Sequence, residues 1–247
     1  MEVTGRRALI VAGVAVAVVA VTTTALAVGI PSPPPSQVTA LPADGHSSAT
    51  LDVVSGTPEL SVRVANLGGT GGTLLRASTP RGSSLPRLRA VDGGGTDRSG
   101  KNELIYLSAS SGAGPVTVTL NAAVSWRLDF GGGSTRTVAD LRGGRIAGIA
   151  FTAGSDIIDL TLPRPGGTVA IQLAGGASQF LVAAPAGVPV RVTAGGGAGE
   201  VSLDGAVHVG VAGGSVFATP GWATGAPGWD IDATAGAARV SVTQWGV

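Results

Sequence analysis

A glycine-marked repeat of about twenty residues constrains the fold of this 247-residue chain more than any other feature. Six segments begin with similar tripeptides, and consecutive starting points are 21, 22, 20, 18 and 23 residues apart. The tripeptides are Phe130-Gly-Gly, Phe151-Thr-Ala, Leu173-Ala-Gly, Thr193-Ala-Gly, Val211-Ala-Gly and Thr234-Ala-Gly. Pro163 and Pro185 keep the same step, since each lies 12 residues after the start of its segment. A period of this length predicts a solenoid.

Short strands separated by glycine turns explain such a repeat physically. One copy cannot bury its own apolar face, so neighbouring copies must stack, with equivalent strands paired at about 4.8 Å. Alternation predicts that Ile158, Leu160 and Leu162 face a core, whereas Asp159 and Thr161 face solvent. We therefore predict an all-β chain whose residues 47–247 form a single β-solenoid. A β-sandwich, which also has short strands and regular turns, is the alternative.

Ten apolar or alternating runs predict individual strands. They are residues 49–54, 59–64, 104–107, 116–120, 126–130, 157–162, 169–173, 188–192, 201–204 and 239–242. Between Gly68 and Lys101 the pattern loosens, because Gly68, Gly69, Gly71 and Gly72 break the chain and basic residues gather. The mixed charges on this glycine-rich segment favour a solvated loop at residues 76–101 over a binding patch.

The N-terminal segment has the pattern of an export signal. Arg6 and Arg7 precede 23 uncharged residues, 8–30, which at about 1.5 Å per residue can cross a hydrocarbon core of about 30 Å. The positive-inside rule then places the N-terminus in the cytoplasm and the rest of the chain outside the cell. Residues 1–30 are predicted to be a membrane anchor with one transmembrane helix, and the proline-rich residues 31–46 a stalk. The alternative is a signal peptide cleaved near Ala27, which would release a secreted protein.

A group of motifs within residues 126–205 carries a resemblance to known proteins. They include Phe130-Gly-Gly-Gly, Ala139-Asp-Leu-Arg-Gly, Asp159-Leu-Thr-Leu-Pro, Pro185-Ala-Gly-Val-Pro-Val-Arg-Val and Gly195-Gly-Gly-Ala-Gly. This run resembles uncharacterised exported domains of high-GC Gram-positive bacteria. It is similar, more distantly, to the C-terminal β-solenoid of LiaF-like membrane proteins and to adhesin-like domains of short stacked strands. The resemblance implies a β-solenoid at the cell envelope and implies no catalytic residues.

Few residues are available for catalysis. The chain has no cysteine, one lysine and two histidines, His46 and His208, which do not have metal-ligand spacing. Carboxylates act in polysaccharide-cleaving enzymes, and Asp140 could approach Asp159 if copies stack. The carboxylates form no calcium-loop motif, so solvated outer-wall charges are the favoured interpretation. A polysaccharide-active enzyme using Asp140, Asp156 or Asp159 is an alternative, and we expect neither a cofactor nor a metal.

Two groups of residues are candidate binding sites. The first comprises the basic residues Arg76, Arg81, Arg87, Arg89, Arg98 and Lys101, which could contact an anionic wall polymer. The second comprises Trp222 and Trp229, which repeat a Pro-Gly-Trp motif at an interval of seven residues. Their rings could stack on a sugar, but covering an open end of the solenoid core is the favoured interpretation.

These observations predict a membrane-anchored, extracytoplasmic, non-catalytic interaction or scaffold module of the bacterial cell envelope. Its partner would be an envelope protein or an anionic wall polymer. A cell-wall glycan-binding module that uses the arginine and tryptophan residues is one alternative, and the polysaccharide-active enzyme is another. The even balance of 16 basic and 15 acidic residues, together with export, argues against nucleic acid as a partner.

Overall fold

The computed structural model describes residues 36–92, 102–109 and 113–246, and the predicted anchor at residues 8–30 lies outside them. The described residues form 19 strands, and their helical structure is limited to one 3-10 turn, Gly69–Gly71. The strands are β1 (Ser36–Pro42), β2 (Ser48–Val53), β3 (Thr57–Ala65), β4 (Thr73–Pro80), β5 (Arg87–Asp92), β6 (Asn102–Ser108), β7 (Val116–Asn121), β8 (Ser125–Phe130), β9 (Ser134–Asp140), β10 (Arg145–Phe151), β11 (Ser155–Thr161), β12 (Thr168–Leu173), β13 (Ala177–Pro185), β14 (Val190–Ala194), β15 (Ala198–Leu203), β16 (Ala206–Val211), β17 (Ser215–Ala218), β18 (Gly228–Asp232) and β19 (Ala237–Trp245). The prediction of an all-β fold is therefore confirmed.

The strands form two mixed sheets. Sheet A has ten strands in the order β1-β4-β7-β3-β9-β11-β13-β19-β15-β16. Sheet B has nine strands in the order β17-β14-β18-β12-β10-β8-β2-β6-β5. All ten predicted runs coincide with strands of these sheets.

Seven pairs of consecutive strands repeat one unit, which we call a layer. In each layer the chain follows a strand of sheet B, turns, and continues as a strand of sheet A, as in β8 and β9 or β10 and β11. Equivalent strands of adjacent layers pair in parallel. Phe151 on β10 lies opposite Phe130 on one side and Leu173 on the other, so these three predicted repeat starts are equivalent positions.

The layers do not stack in chain order. The β2–β3 layer lies between the β6–β7 and β8–β9 layers, and the β18–β19 layer lies between the β12–β13 and β14–β15 layers. Val211, which the repeat pattern marks as a sixth start, lies instead on β16, an antiparallel partner of β15. The prediction that a further repeat copy starts at Val211 is therefore wrong. The chain forms the antiparallel hairpin β15–β16 here and does not start another layer.

The core lies between the two sheets. Ile158, Leu160 and Leu162 are completely buried, and Asp159 and Thr161 between them are half-buried, as the alternation predicts. The Phe151 ring from sheet B meets the Phe180 ring from sheet A edge to face, with the ring centroids 6.2 Å apart. Such contacts join the two sheets into one hydrophobic cluster.

The predicted stalk differs from the structure over residues 36–46. The strand β1 pairs antiparallel with β4, and Leu41, Ala43 and His46 are buried. The proline-rich composition hid this strand, because its two large apolar residues, Val38 and Leu41, fall on opposite faces and the polar Thr39 occupies a buried position. The folded part therefore includes Ser36, ahead of the predicted boundary at residue 47.

The predicted loop at residues 76–101 is wrong over two stretches. Residues Thr73–Pro80 form β4 and residues Arg87–Asp92 form β5. Both are antiparallel to their sheet neighbours, β7 and β6, so they extend the stack of layers without belonging to the repeat.

Candidate functional site

The predicted basic patch is divided between the two walls of the domain. Arg76 on β4 is exposed between the buried Leu75 and Ala77, so it projects from the outer face of sheet A. Arg87 and Arg89 are exposed on β5, on either side of Leu88, and project from sheet B. The structure thus does not bring these arginines together.

The other basic residues of the predicted patch are Arg81, Arg98 and Lys101. Arg81 is exposed in the turn that follows β4. The Arg89 guanidinium carbon lies 5.9 Å from the centroid of the Tyr106 ring, in a cation–π arrangement. Arg98 and Lys101 lie outside the described residues.

The two tryptophans of the repeated motif have different environments. Trp229 is completely buried on β18, and its indole N–H donates a hydrogen bond of 3.2 Å to the carbonyl of Pro163. A sugar ring cannot stack on it, and the prediction that it covers an open end is also wrong, because β18 lies between β12 and β14. Its role is to fill the core of an internal layer.

Trp222 is half-buried in the loop that precedes β18. The Arg191 guanidinium carbon lies 5.2 Å from the centroid of its ring, and Arg191 also forms an ion pair with Asp230. Seven strand-to-strand steps separate β14, which carries Arg191, from β5. At about 4.8 Å a step, this is about 34 Å. Trp222 and the arginines of β5 therefore do not form one binding site.

The predicted carboxylate pair does not form either. Asp140 lies opposite Thr161, and Asp159 lies opposite Val138, on the adjacent strands β9 and β11. Each carboxylate faces an arginine instead: Asp140 is 2.6 Å from Arg142, and Asp159 is 3.8 Å from Arg136. Hydrogen bonds from Arg142 lower the pKa of Asp140, which favours an ionised surface group over a proton donor.

A different pair of carboxylates comes together on sheet B. Asp52 on β2 and Asp129 on β8 are in-register neighbours on parallel strands. Burial raises the pKa of Asp52, and the charge of Asp129 raises it further. Burial also raises the pKa of Asp129, an effect that the nearby Arg127 opposes. Sequence reasoning missed this pair because nothing in the chain indicates that β2 stacks on β8.

A long concave surface follows the turns that lead from sheet B to sheet A. We call it the turn groove, and its volume is about 980 Å³. It follows the turns of five adjacent layers, which span about 19 Å, and also touches Ala113 in the connection of the neighbouring β6–β7 layer. Its lining consists of Gly56, Thr57, Pro58, Ala113, Gly133, Ser134, Thr135, Gly154, Ser155, Asp156, Gly176, Ala177, Ser178, Gly236 and Ala238. Asp156 is the only charged residue among them.

Glycine is required at the base of the turn groove because adjacent layers approach closely. A Cβ atom on Gly56 would lie 2.7 Å from the carbonyl oxygen of Gly133, and one on Gly133 would lie 3.1 Å from that of Gly154. Successive turns therefore stack with no side chain between them, and the groove stays continuous across the layers.

Hydroxyl groups form a row beside these glycines. Thr57, Ser134 and Ser155 occupy equivalent positions on adjacent strands. The Ser134 hydroxyl lies 2.9 Å from that of Ser155 and 2.7 Å from that of Thr137. Within the described part of the chain, the buried Thr57 hydroxyl has no hydrogen-bond partner. The groove thus presents small polar side chains on a rigid backbone.

Two further properties of the described residues bear on function. Among residues 36–92, 102–109 and 113–246, no three histidine or acidic side chains come together in a way that could hold a metal ion. The same residues contain no helix of the length and apolar character needed to cross a bilayer.

Comparisons with known proteins show similarity to a solved structure. No protein-family model matches the chain, and no curated protein matches it. The fold is similar to the crystal structure of a "putative cell adhesion protein" from Clostridium sporogenes ATCC 15579. The two chains are 17% identical, with a TM-score of 0.60 over 86% of this chain and 100% of the other. At this level of identity the similarity extends to the fold alone.

Proposed function

We propose that this protein is a non-catalytic interaction module of the cell envelope, held outside the cytoplasmic membrane by an N-terminal helix at residues 8–30. Its contact surface is the turn groove, and its partner is an extended, uncharged segment of an envelope polymer or protein. The observation that carries the proposal is the continuity of this groove across five layers, with small polar side chains and a single charged residue.

The fold supports display of a surface more directly than it supports chemistry. Parallel, in-register pairing across seven layers supports the proposal of a β-solenoid, with two of its layers out of chain order. A rigid stack of this kind repeats its surface groups at a fixed spacing of about 4.8 Å. An extended polymer can follow such a surface for several of its own units.

The arrangement of the carboxylates favours a non-catalytic role. A polysaccharide hydrolase needs two carboxyl groups on either side of a bond, with one of them retaining a proton. Asp140 and Asp159 each face an arginine, and Asp156 lies on the rim of the groove. Asp52 and Asp129 lie on the outer face of sheet B and are not among the residues that line the turn groove.

The name of the structural relative is consistent with an interaction role. That protein is described as a putative cell adhesion protein, and this chain covers all of it. Export signals in residues 1–30 would place this domain where adhesion contacts form. We infer an adhesion-like function from these two features together.

Co-sedimentation of the full chain, in detergent, with purified cell walls across a salt series tests the proposal. Binding through the groove rests on uncharged contacts and should persist as salt rises, whereas binding through arginines should weaken. Thr135→Arg places a charge in the groove and should abolish binding. The matched control, Gln172→Arg, places the same charge on the exposed outer face of sheet B and should bind as the wild type does.

If walls do not bind the wild-type chain, the same two variants are compared in pull-downs from membrane extracts. If Thr135→Arg no longer binds a protein partner and Gln172→Arg still binds it, the result supports the turn groove as the contact surface. Equal binding by both variants, to walls and to membrane proteins, would contradict the proposal.

A further inference from the structure

Both sheets end on the same side of the domain in uncharged edge strands. Sheet A ends in β16 and sheet B ends in β17. Residues 206–219, which include both strands, contain no lysine, arginine, aspartate or glutamate. Proteins commonly protect exposed strand edges with charges, because an unprotected edge pairs with other strands. The opposite end of sheet B has this protection, since β5 carries the exposed Arg87 and Arg89.

Exposed apolar side chains are concentrated on the same two strands. Four large hydrophobic residues are exposed among the described residues, and three of them lie here: Val207, Val209 and Val216, with exposed fractions of 56%, 79% and 57%. Burial of such side chains is favourable by roughly 25 cal/mol per Å². The edge therefore combines unpaired backbone groups with apolar side chains that water solvates poorly.

A contact between two aromatic rings joins the two edge strands. His208 on β16 and Phe217 on β17 face each other with ring centroids 4.5 Å apart. They hold the last strands of the two sheets at a fixed separation. Both edges are thus presented together as one surface, which we call the β16–β17 end.

We propose that the β16–β17 end is a self-association surface that pairs with the same end of a second copy of this chain. A two-fold axis perpendicular to the sheets would set β16 antiparallel to β16 of the second copy, and β17 antiparallel to its own counterpart. Both sheets would then continue across the interface, as in an isologous dimer. An uncharged edge suits this occupant, because each residue near the axis meets its own copy and any charge there would repel itself.

The pairing would have a consequence for the arrangement of the chains. The strand β1, which follows the N-terminal segment, lies at the other end of sheet A, nine strand steps from β16. This is about 43 Å. A dimer through the β16–β17 end would therefore hold the two β1 strands at its far ends. This inference is independent of what the turn groove binds.

Disulfide trapping in the full chain tests the geometry, because the natural chain has no cysteine. Under mild oxidation in detergent, Val207→Cys or Val209→Cys should yield a covalent dimer on a non-reducing gel. Val54→Cys provides a matched control, since Val54 is also exposed, at 44%, but lies outside the β16–β17 end. Equal trapping of Val54→Cys and the β16 variants would overturn the proposal.

Sedimentation of the full chain tests the equilibrium. The wild type should be a dimer, and a Val207→Lys/Val209→Lys variant should raise the dimer dissociation constant by about tenfold or more, because like charges would meet across the axis. Val207→Thr/Val209→Thr keeps the edge uncharged and should retain the dimer. A monomeric wild type, or a lysine variant that dimerises as the wild type does with an unchanged Tm, would overturn the proposal.

Discussion

Asp52 and Asp129 lie side by side on the parallel strands β2 and β8, each flanked by buried residues that point into the core. The pKa of each is raised by burial. Each carboxylate is therefore harder to ionise in the folded chain than in the unfolded chain. The pair is held in place by the stacking of layers rather than by its own interaction.

This pair predicts a pH dependence of stability. Because both pKa values are raised, the folded chain binds protons here more tightly, and the free energy of unfolding falls as pH rises above the ordinary Asp value of 3.8. Replacing Asp129 by Asn should stabilise the fold by about 0.5 kcal/mol at about pH 7 and have no effect at about pH 3. Thermal unfolding followed by circular dichroism measures both values. Destabilisation at neutral pH would contradict the prediction, and Asp156→Asn is the control for loss of a single exposed carboxylate.

Much of the local structure could be predicted from the sequence, because alternation reports directly which side of a strand is buried. Ile158 and Leu160 are buried as predicted, and each of the ten predicted runs overlaps a strand. Nine strands lie outside these runs, namely β1, β4, β5, β9, β10, β13, β16, β17 and β18. The strand β1 shows why. Its apolar residues are sparse, and its stability comes from pairing with β4, a partner that local pattern cannot identify.

The order of the layers and the candidate sites were not predictable in the same way. Insertion of β18 and β19 between earlier layers depends on contacts between distant segments. It gives Trp222 and Trp229 different surroundings although their motifs match. The turn groove likewise exists only once layers stack, although its glycines and hydroxyls are visible in the sequence.

The close stacking of turns predicts that glycine substitutions differ sharply in cost. A Cβ atom on Gly132 would lie 2.2 Å from the backbone carbonyl of Ser55, so Gly132→Ala must displace a neighbouring layer. We expect a loss of about 2 kcal/mol in the free energy of unfolding. Gly166, which has no atom within 4 Å of an added Cβ, is the matched control, and its alanine variant should change stability by less than about 0.5 kcal/mol. Equal effects in denaturant titrations would show that the layers can separate easily.

The two tryptophans should differ in their contribution to stability. Trp229→Ala removes a completely buried side chain and its hydrogen bond, and should cost about 3–5 kcal/mol. Trp222→Ala removes a half-buried ring that contacts Arg191, and should cost about 1 kcal/mol or less. Chemical denaturation with intrinsic fluorescence measures both. Similar losses would mean that Trp222 also belongs to the core.

The absence of cysteine allows a direct test of location. Thr135→Cys, at an exposed position of the turn groove, should react with a membrane-impermeant maleimide in intact cells if the domain lies outside the membrane. Val182→Cys, which is 2% exposed, should stay unlabelled while the domain is folded. Labelling of Thr135→Cys only after lysis would place the domain on the cytoplasmic side, and the mass of the labelled chain shows whether residues 1–27 are retained.

The most direct test of the proposed function is photo-crosslinking in living cells from two positions of the same layer. A photoreactive residue in place of Ser178 lies in the turn groove, and one in place of Gln172 lies exposed on the outer face of sheet B. We predict that Ser178 gives a discrete crosslinked species with an envelope component and that Gln172 gives none. Crosslinks that are equal from both positions, or that arise only from Gln172, would contradict the turn groove as the contact surface.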